Sequence, residues 1–465
     1  MNISSRPMLA VVTLAGAIAL SACAPGVRPL PASIGVEPAL EWRTELSITE
    51  ELEHSWWQRF GDRRMVALVE KARENNPDMR LAAARVEEAR ATEAVSRSLL
   101  LPTLEAGLAG GARREVSAFG QGQNSLVAEP AFRASYEVDL FGKNRANINA
   151  AEAGVAASEA SREAALLSVT AATASGYVSL LALDARRKVL SDTLELRAQA
   201  LKFARDRAEV GYTSQLEWRQ AQAEYHATAQ LVPQIEAQIA RQENALSVLT
   251  GEIPGDVIRG GSLADLKQPP APDLVPSELL RHRPDIAAAE YQLAASDAQM
   301  RAARAGFMPS LRISASAGAA ISDLLADPIS IWSVGGSLLA PIFNGGRLQS
   351  QFDAATARRD QAAFFYRSTV LNAFREVEDR MAVVARLGDQ QRALEAQRAA
   401  VADALRHARN RYRAGYTPYI EQVDAQRSLL GVELSLVQVE ADQINAIIGL
   451  YQAVGSAPDT EPTVN

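Results

Sequence analysis

The stretch ARDRAEVGYT at residues 204–213 returns as ARNRYRAGYT at residues 408–417, and both copies end in Gly-Tyr-Thr. A second match lies upstream, where Asn-Pro-Asp at residues 76–78 corresponds to Arg-Pro-Asp at residues 283–285. The first pair is offset by 408 − 204 = 204 residues and the second by 283 − 76 = 207 residues. Matches that keep their order at a nearly constant offset indicate an internal duplication, so the fold is built from two similar halves.

Long helices are predicted on both sides of each Gly-Tyr-Thr turn. Residues 145–210 and 347–413 contain no proline. At about 1.5 Å per residue, each of these segments would form a helix of roughly 100 Å. A helical segment also follows each turn, so the sequence predicts hairpins at residues 145–249 and 347–454. In the first hairpin, the returning helix is expected to run unbroken over residues 214–249.

The second returning helix carries a seven-residue repeat of apolar side chains. One row consists of Val423, Leu430, Val437, Ile444 and Tyr451. A companion row consists of Leu434, Ala441 and Ile448. Apolar rows with this period are typical of helices that pack as coiled coils, so the hairpins are expected to pack along this seam.

Upstream of each hairpin, apolar and polar residues alternate as they do in half-exposed β-strands. Phe132, Ala134 and Tyr136, for example, alternate with Arg133 and Ser135. The alternation predicts four strands, at about residues 103–115, 130–141, 310–321 and 329–343.

These strands fit either a soluble sandwich with one wet face or a membrane barrel with an apolar exterior and a polar lumen. Strands of about ten residues are long enough to cross a bilayer when they are tilted. Because open strand edges are not tolerated in lipid, and four strands cannot close a barrel, the membrane interpretation requires several chains. Three chains would supply twelve strands, but the strand pattern does not fix that number.

The N-terminal residues 1–22 read as a secretory signal. Arg6 precedes an apolar run at residues 8–20, which is too short to span a bilayer as a helix. The sequence Leu-Ser-Ala-Cys at residues 20–23 resembles the bacterial lipobox, although an ordinary signal with a chance cysteine is the alternative. A covalent lipid on Cys23 is the one prosthetic group expected. By resemblance to the sorting of bacterial lipoproteins, alanine at position 24 implies the outer membrane.

The composition argues against several classes of protein. The formal net charge of −7 disfavours a nucleic-acid partner, because phosphate binding requires clustered lysine and arginine. The sequence contains no nucleotide-binding glycine loop, zinc-protease motif or nucleophile elbow. The four histidines lack the spacing of metal ligands and stand at positions 54, 226, 282 and 407. We therefore expect no enzymatic activity, no catalytic residue and no metal site.

Several short motifs occur in an order and at spacings that are typical of one family. They are WWQRFGD at residues 56–62, NPD at 76–78, RHRPD at 281–285, PIFNGGR at 341–347 and DAQRSL at 424–429. Through these motifs the chain resembles the outer-membrane efflux ducts of the TolC/OprM type, in particular the NodT-family lipoproteins of RND (resistance-nodulation-division) efflux systems. The resemblance runs from the lipobox to about residue 455.

The resemblance implies a mainly α-helical homotrimer with a membrane β-barrel. Four strands per protomer would form a twelve-stranded barrel, and the hairpins would form a periplasmic tunnel of twelve helices, ringed by an equatorial band. The implied partners are a periplasmic adaptor, an inner-membrane RND pump and outer-membrane lipid. The chain then divides into signal peptide, lipidated tether with an equatorial segment, first repeat, equatorial linker, second repeat and tail, at residues 1–22, 23–62, 63–254, 255–275, 276–455 and 456–465.

The two Gly-Tyr-Thr turns are predicted to dock the adaptor. Glycine readily adopts the left-handed conformation that ends a helix. Threonine is a good N-cap, so Thr213 and Thr417 are expected to cap the helices that follow. The alternative is two helical turns with no docking role. The predicted docking residues are Gly211, Tyr212, Thr213, Gly415, Tyr416 and Thr417.

The resemblance places the periplasmic aperture at Ile420, Glu421 and Asp424. The two acids stand three residues apart, so they share one face of a helix. Three copies would form rings of carboxylates that favour cations. A solvated helix face with ordinary ion pairs is the alternative. Partners for these acids are expected among Arg409, Arg411 and Arg413.

Passive efflux of drugs or other toxic solutes, driven by the partner pump, is the leading functional prediction. An outer-membrane duct for ABC-driven type I protein secretion has the same architecture, and the lipobox favours efflux over it. A coiled-coil lipoprotein that conducts nothing is a third hypothesis, but the alternating strands disfavour it. A periplasmic enzyme is the weakest alternative.

Overall fold

The computed structural model describes residues 25–26, 29–31, 34–37, 39–44, 46, 49–50, 55–116, 119–272 and 275–455. The predicted signal peptide, the predicted lipidation site Cys23 and the tail at residues 456–465 lie outside these residues. The chain divides into two compact units. The described part of the strand unit comprises residues within 25–35, 85–159 and 288–368, and that of the hairpin unit comprises residues within 36–84, 160–287 and 369–455.

The described helices repeat across the two halves of the chain. The helices of the first half are α1 (Arg63–Asn75), α2 (Pro77–Ser98), α3 (Lys143–Glu209), α4 (Gln215–Ala229) and α5 (Leu231–Leu249). Those of the second half are α6 (Pro276–His282), α7 (Pro284–Ala305), α8 (Arg347–Arg413) and α9 (Tyr419–Val454). Helices α2 and α7 each have 22 residues, and α3 and α8 each have 67. These matched lengths confirm the duplication.

The returning helix of the first hairpin departs from the prediction, because it is interrupted at Gln230 between α4 and α5. Pro233 explains the break. Proline has no backbone N–H to donate to the carbonyl four residues earlier, and its ring crowds that carbonyl. Helix α9 follows Pro418, contains no proline itself and runs for 36 residues without interruption.

Four antiparallel strands form one sheet in the order β1, β2, β3, β4. Their bounds are Thr103–Val116, Gly122–Val138, Ser310–Ser322 and Ile329–Leu339. Strand β2 starts eight residues before its predicted start, because residues 122–129 pair with 109–116 although their small and polar side chains show little alternation. Strand β4 ends at Leu339 instead of 343, ahead of Pro341, which cannot donate to a strand ladder.

The register places apolar side chains in rows across the sheet. One row is Ala106, Phe132, Ala317 and Trp332. The adjacent row is Glu105, Arg133, Ser316 and Ser333. Within the described residues the apolar rows are uncovered, since Leu104 is 73% and Trp332 is 78% exposed. The predicted alternation is therefore present, and its apolar side chains are exposed.

Short elements before and between the two repeats belong to the hairpin unit. One 3-10 helix spans Trp56–Phe60, and another spans Leu263–Asp265. Two-residue strands at Thr49–Glu50 and Ala271–Pro272 pair in parallel. The segment before the first repeat and the linker between the repeats therefore contact each other.

The core of the hairpin unit is built around the paired tryptophans. Trp56 is fully buried and stacks on Tyr451 of α9, with ring centroids 5.3 Å apart. Phe60 packs edge-on against Trp56. Ile444 and Ile448 of the seven-residue rows lie in the same cluster. The predicted seam of α9 is thus buried, which confirms it.

The linker between the halves is fastened to the hairpin unit. The Tyr177 hydroxyl of α3 donates to an Asp62 carboxylate oxygen at 3.0 Å and accepts the Gly260 backbone N–H at 2.8 Å. Burial, reinforced by Asp62, raises the pKa of Tyr177 to about 12, so the hydroxyl stays a donor at neutral pH. Arg259 holds Asp184 of α3 at 2.8 Å. A Cβ at position 260 would meet Asp62 at 2.3 Å, so this close approach requires glycine.

Among the described helices, only α3 contains a window long and apolar enough to cross a bilayer. More than half of that window is buried inside the protein. Helix α3 is also far longer than a bilayer is thick. The window is therefore accounted for as the packed part of a core helix.

Candidate docking turns and aperture

Each 67-residue helix ends in a tight turn around a left-handed glycine. Gly211 has φ +76° and Gly415 has φ +79°. At the first turn, the N–H of Tyr212 donates to the carbonyl of Arg207 at 2.8 Å, and the N–H of Gly211 donates to the carbonyl of Ala208 at 3.1 Å. The second turn repeats both bonds. This pair of bonds satisfies the last carbonyls of the helix, so glycine has the helix-ending role predicted for it.

The prediction that the two threonines cap the returning helices is wrong. Ser214, one residue later, caps α4 by accepting the Glu217 N–H at 3.4 Å. Pro418 occupies the cap position of α9 and has no hydroxyl to offer. Within the described residues, the hydroxyls of Thr213 and Thr417 are buried without a hydrogen-bond partner. Both threonines therefore lie one residue before the cap.

The turns expose large apolar side chains. Tyr212 is 77% exposed at the first turn, and Tyr416 is similarly exposed at the second. Val210 and Leu216 flank the first turn and are also exposed. Isolated exposed apolar residues are ordinary, but a cluster at the tip of a hairpin is a surface suited to a protein partner.

The aperture residues lie on the first two turns of α9 and share an exposed face. Ile420, Glu421 and Asp424 are exposed, whereas Gln422 and Val423 between them are buried. The acids therefore point away from the packed seam, as their spacing predicted. Their role at a constriction stays a prediction.

Only one of the three arginines proposed as partners for these acids reaches one. The Arg411 guanidinium lies 3.7 Å from the Glu421 carboxylate. Asp424 instead faces Arg427, 3.6 Å away and one turn later on α9. In the part of the chain that the structure describes, neither Arg409 nor Arg413 lies within 4 Å of an acidic side chain. The three-residue spacing of Asp424 and Arg427 was the signal that could have identified this pair.

Two polar contacts tie the first hairpin to the second near the turns. The Tyr412 hydroxyl of α8 donates to the Glu217 carboxylate of α4 at 3.0 Å. Burial, and then Glu217, raise the pKa of Tyr412, so its hydroxyl stays protonated. Arg427 of α9 donates through Nε to the Glu224 carboxylate of α4 at 3.0 Å. The exposed apolar turns therefore lie a few residues along the chain from polar contacts that join the two hairpins.

The Glu224 carboxylate also anchors a buried arginine. Arg197 of α3 is 5% exposed, and its Nη1 lies 3.0 Å from a carboxylate oxygen of Glu224, whose side chain is 7% exposed. The same nitrogen donates to the Glu224 carbonyl at 2.7 Å and to the Thr228 hydroxyl at 2.6 Å. Burial lowers the pKa of Arg197, and the Glu224 charge opposes that shift. We did not predict this pair from the sequence, because charged residues on long helices usually face solvent.

Among the described residues, the other chemistry-bearing side chains form no metal site. Nδ1 of His282 at the end of α6 is buried without a partner in the described region. Among the described residues, no group of three histidine, cysteine, aspartate or glutamate side chains is arranged to hold a metal ion.

Comparison with known proteins matches these features to one family. The family model described as outer membrane efflux protein matches residues 68–252 and 275–456. The solvent efflux pump outer membrane protein SrpC of Pseudomonas putida is 33% identical over 413 residues, which cover 85% of this chain and 86% of SrpC. The probable outer membrane lipoprotein SilC of Salmonella typhimurium is 29% identical, with 96% of each chain covered.

A solved structure has the same fold. The open state of the Neisseria gonorrhoeae MtrE outer membrane channel superposes with a TM-score of 0.79 at 28% identity, over 93% of this chain and 98% of that one. The match therefore includes both the strand sheet and the hairpins. The chain belongs to the outer membrane efflux protein family, and it is an outer-membrane component of an efflux system, from a family of channels rather than of enzymes.

Proposed function

We propose that three copies of this chain form the exit duct of a tripartite efflux system, which passively conducts drugs or other toxic solutes. The observation that carries the proposal is the four-stranded sheet. Its edge strands, β1 and β4, have no further strand beside them among the described residues. Among the described residues, no segment covers its apolar rows, and Leu104 and Trp332 are exposed.

A sheet with two open edges and exposed apolar rows requires further strands beside its edges if it lies in lipid. Unpaired edge groups cost several kcal/mol each in hydrocarbon, so a lipid-exposed sheet must close into a barrel. Pairing β4 of one copy with β1 of the next removes every edge without a new element. Three copies give 3 × 4 = 12 strands, which is within the range of closed membrane barrels. The apolar rows then face lipid.

The helical hairpins would line the periplasmic tunnel, with their turns directed to the partners. Exposed tyrosines at Gly211–Thr213 and Gly415–Thr417 support docking of a periplasmic adaptor. An inner-membrane RND pump would supply the energy, because nothing in the sequence provides catalysis. The name of SrpC, a solvent efflux pump protein, supports small toxic solutes as the cargo.

The aperture and the lipid complete the proposal. Ile420, Glu421 and Asp424 would form the constriction, because their side chains leave the packed face of α9 near the turn. Convergent carboxylates from three copies would favour cations in the opening. Lipidation of Cys23 is supported by the name of SilC, a probable outer membrane lipoprotein. Such an anchor would hold the duct at the membrane before its barrel closes.

Photo-crosslinking in living cells tests the proposal. A photoreactive residue at Val210 and another at Ala414, the exposed positions just before the two glycines, should capture an adaptor that copurifies with an RND pump. A matched control places the same photoreactive residue at Lys188, an exposed position on α3. Lys188 lies 210 − 188 = 22 residues before Val210, which is about 33 Å along the helix axis.

The outcomes at the turns and at the control position separate the functional alternatives. Lys188 should capture neither the adaptor nor the pump, because it lies far from the turns. Capture of an ABC exporter at the turns would favour the type I secretion alternative instead. Capture of nothing but other copies of this chain would contradict adaptor docking and support a purely structural role.

A further inference from the structure

The start of the tether, the segment that follows the predicted lipidation site, packs within the strand unit. At the end of α7, Arg304 donates through Nε to the Pro25 carbonyl at 2.9 Å. On α8, Arg359 donates through Nη2 to the Pro29 carbonyl at 3.0 Å. Proline favours an extended backbone whose carbonyls make no bonds within the segment, so they are available to such donors. Two arginines of the second half therefore hold the tether by its backbone.

Arg359 is a buried cation, and the tether supplies part of its surroundings. Its side chain is 1% exposed. It also pairs with the Asp360 carboxylate at 2.7 Å and contacts the Met300 sulfur at 3.4 Å. Burying a charged group is costly unless the group is paired and hydrogen-bonded. Because the Pro29 carbonyl is one of its acceptors, the guanidinium would lose a partner if the tether left this position.

In the first half, the counterpart of Arg304 has acidic partners instead. This counterpart is Arg97, at the offset of 207 residues, and it pairs with Glu93 at 2.6 Å and with Glu152 at 2.7 Å. Uncharged residues replace both acids in the second half, at positions 300 and 356. Arg359 has an uncharged counterpart at position 155. The second half therefore has one more cation and two fewer acids where the tether lies.

We propose that Arg304 and Arg359 form a socket for the tether, which fixes the lipid of Cys23 beside the end of the sheet at which β3 starts. The inference rests on the proposed lipidation of Cys23. Cys23 precedes Pro25 by two residues, so at most about 7 Å of backbone separates its lipid from the first socket contact. Without the socket, a flexible chain of 56 − 23 = 33 residues up to Trp56 would spread the lipid over about 30 Å.

The position of the socket brings the lipid to the apolar rows of the same copy. Arg304 precedes Ser310, the first residue of β3, by 310 − 304 = 6 residues. The apolar row at this end of the sheet pairs Leu311 with Leu338, which is 68% exposed. The acyl chains and this row would therefore enter the same layer of the membrane.

Spin labelling of the purified lipoprotein tests the socket. A nitroxide on Leu30→Cys, an exposed position beside Pro29, should give the spectrum of an immobilised label when the rest of the chain is unmodified. Arg359→Met should lower the ratio of immobile to mobile label about tenfold or more, the factor for a hydrogen bond to a charged group. Arg358→Met, which changes the exposed neighbour on α8, is the matched control and should leave the ratio unchanged.

Arg304 provides a second variant that does not disturb a buried charge. Arg304 is only half-buried, so Arg304→Met carries the test if Arg359→Met does not fold. It should also mobilise the label, whereas Arg304→Lys keeps a donor and should restore most of the immobile component. Arg97→Met, the equivalent change in the first half, should have no effect on the label. A mobile label in the otherwise unmodified protein, or an immobile label in both methionine variants, would overturn the socket.

A photoreactive fatty acid tests the position of the lipid. Cells that incorporate it into the acyl chains should yield, on illumination, crosslinks to peptides around Leu311 and Leu338. In Arg304→Met these crosslinks should spread over other peptides, and an unchanged pattern would contradict the positioning role. An N-terminal peptide without acyl mass would refute the proposed lipidation itself. That result differs from a lipidated chain with a mobile label, which would refute the socket alone.

Discussion

The returning segments of the two hairpins follow the same kind of turn but place their acidic residues differently. In the first half, Glu224 is buried against Arg197, and its counterpart in the second half is the exposed Ser428. In the second half, Asp424 is exposed, and its counterpart in the first half is Gln220. The two copies have thus kept the same kind of turn while their charges diverged. One copy uses an acid to hold helices together, and the other presents acids to solvent.

A second comparison shows one contact made by two different side chains. Asn76 precedes Pro77 and donates through Nδ2 to the Leu249 carbonyl at the end of α5, at 2.9 Å. Arg283 precedes Pro284 and donates to the Ala453 carbonyl near the end of α9, at 2.7 Å. Each half is therefore closed by the residue before its proline. Arg283 makes more contacts than Asn76 does across the chain, because it also donates to the carboxylates of Asp285 and Glu376.

The largest expected effect follows from Glu224→Gln. The variant leaves the Arg197 charge buried without a counter-ion, and it also weakens the contact with Arg427. Breaking a buried pair in this way costs about 3–5 kcal/mol. The free energy of unfolding, measured by guanidinium titration of the detergent-solubilised protein, should fall by that amount. Ser428→Ala, at the equivalent exposed position, should change it by less than about 0.5 kcal/mol. Equal effects would contradict the division between the two copies.

The next effect is expected from Arg283→Met. The substitution removes hydrogen bonds to the Ala453 carbonyl and to two carboxylates from a side chain that is largely buried. Both carboxylates are more than one-third exposed, so solvent screens their contribution. We expect a loss of about 2 kcal/mol in the same titration. Arg375→Met removes an exposed partner of Asp379 on α8 and should be nearly neutral. A neutral Arg283→Met would show that the carbonyl contact does not hold the second half closed.

The sequence predicted the elements that are determined by residues close to one another along the chain. Proline-free runs indicated the two long helices, and the left-handed glycines marked their ends. The seven-residue rows identified the buried seam of α9. Alternation located the strands, except where small residues of β2 pair without an apolar pattern. In each case neighbouring residues along the chain carry the signal.

What the sequence did not predict depends on contacts between distant residues. Arg197 and Glu224 look like solvated helix positions, and only packing of α3 against α4 buries them. Asn76 and Arg283 each donate to a carbonyl near the end of a helix that lies about 170 residues away along the chain. The wrong prediction of the threonine caps has a different origin, since it did not weigh the residue that follows each threonine, Ser214 at the first turn and Pro418 at the second. Propensity alone does not choose between adjacent residues.

A smaller effect is expected from Asn76→Ala. Its side-chain oxygen accepts the Asp78 N–H at 2.8 Å, which caps α2, and its Nδ2 makes the bond to Leu249. Losing a cap costs about 1 kcal/mol. The guanidinium titration should therefore show a loss of about half that of Arg283→Met. Glu74→Ala, an exposed change two residues earlier, is the control. A loss as large as that of Arg283→Met would mean that the two halves are closed with equal strength.

The smallest effect on stability, and the sharpest test of the comparison, comes from Asp424→Ala. Asp424 is exposed and faces only Arg427 among the described basic residues, so its removal should change the free energy of unfolding by less than about 0.5 kcal/mol. Conductance should nevertheless rise, because a ring of carboxylates and its ion pairs with Arg427 would be removed from the opening. Gln220→Ala, the equivalent change in the first half, should alter neither quantity. Unchanged conductance in Asp424→Ala would remove this residue from the aperture, whereas a rise in both variants would show that the two halves share the constriction and have not diverged in function.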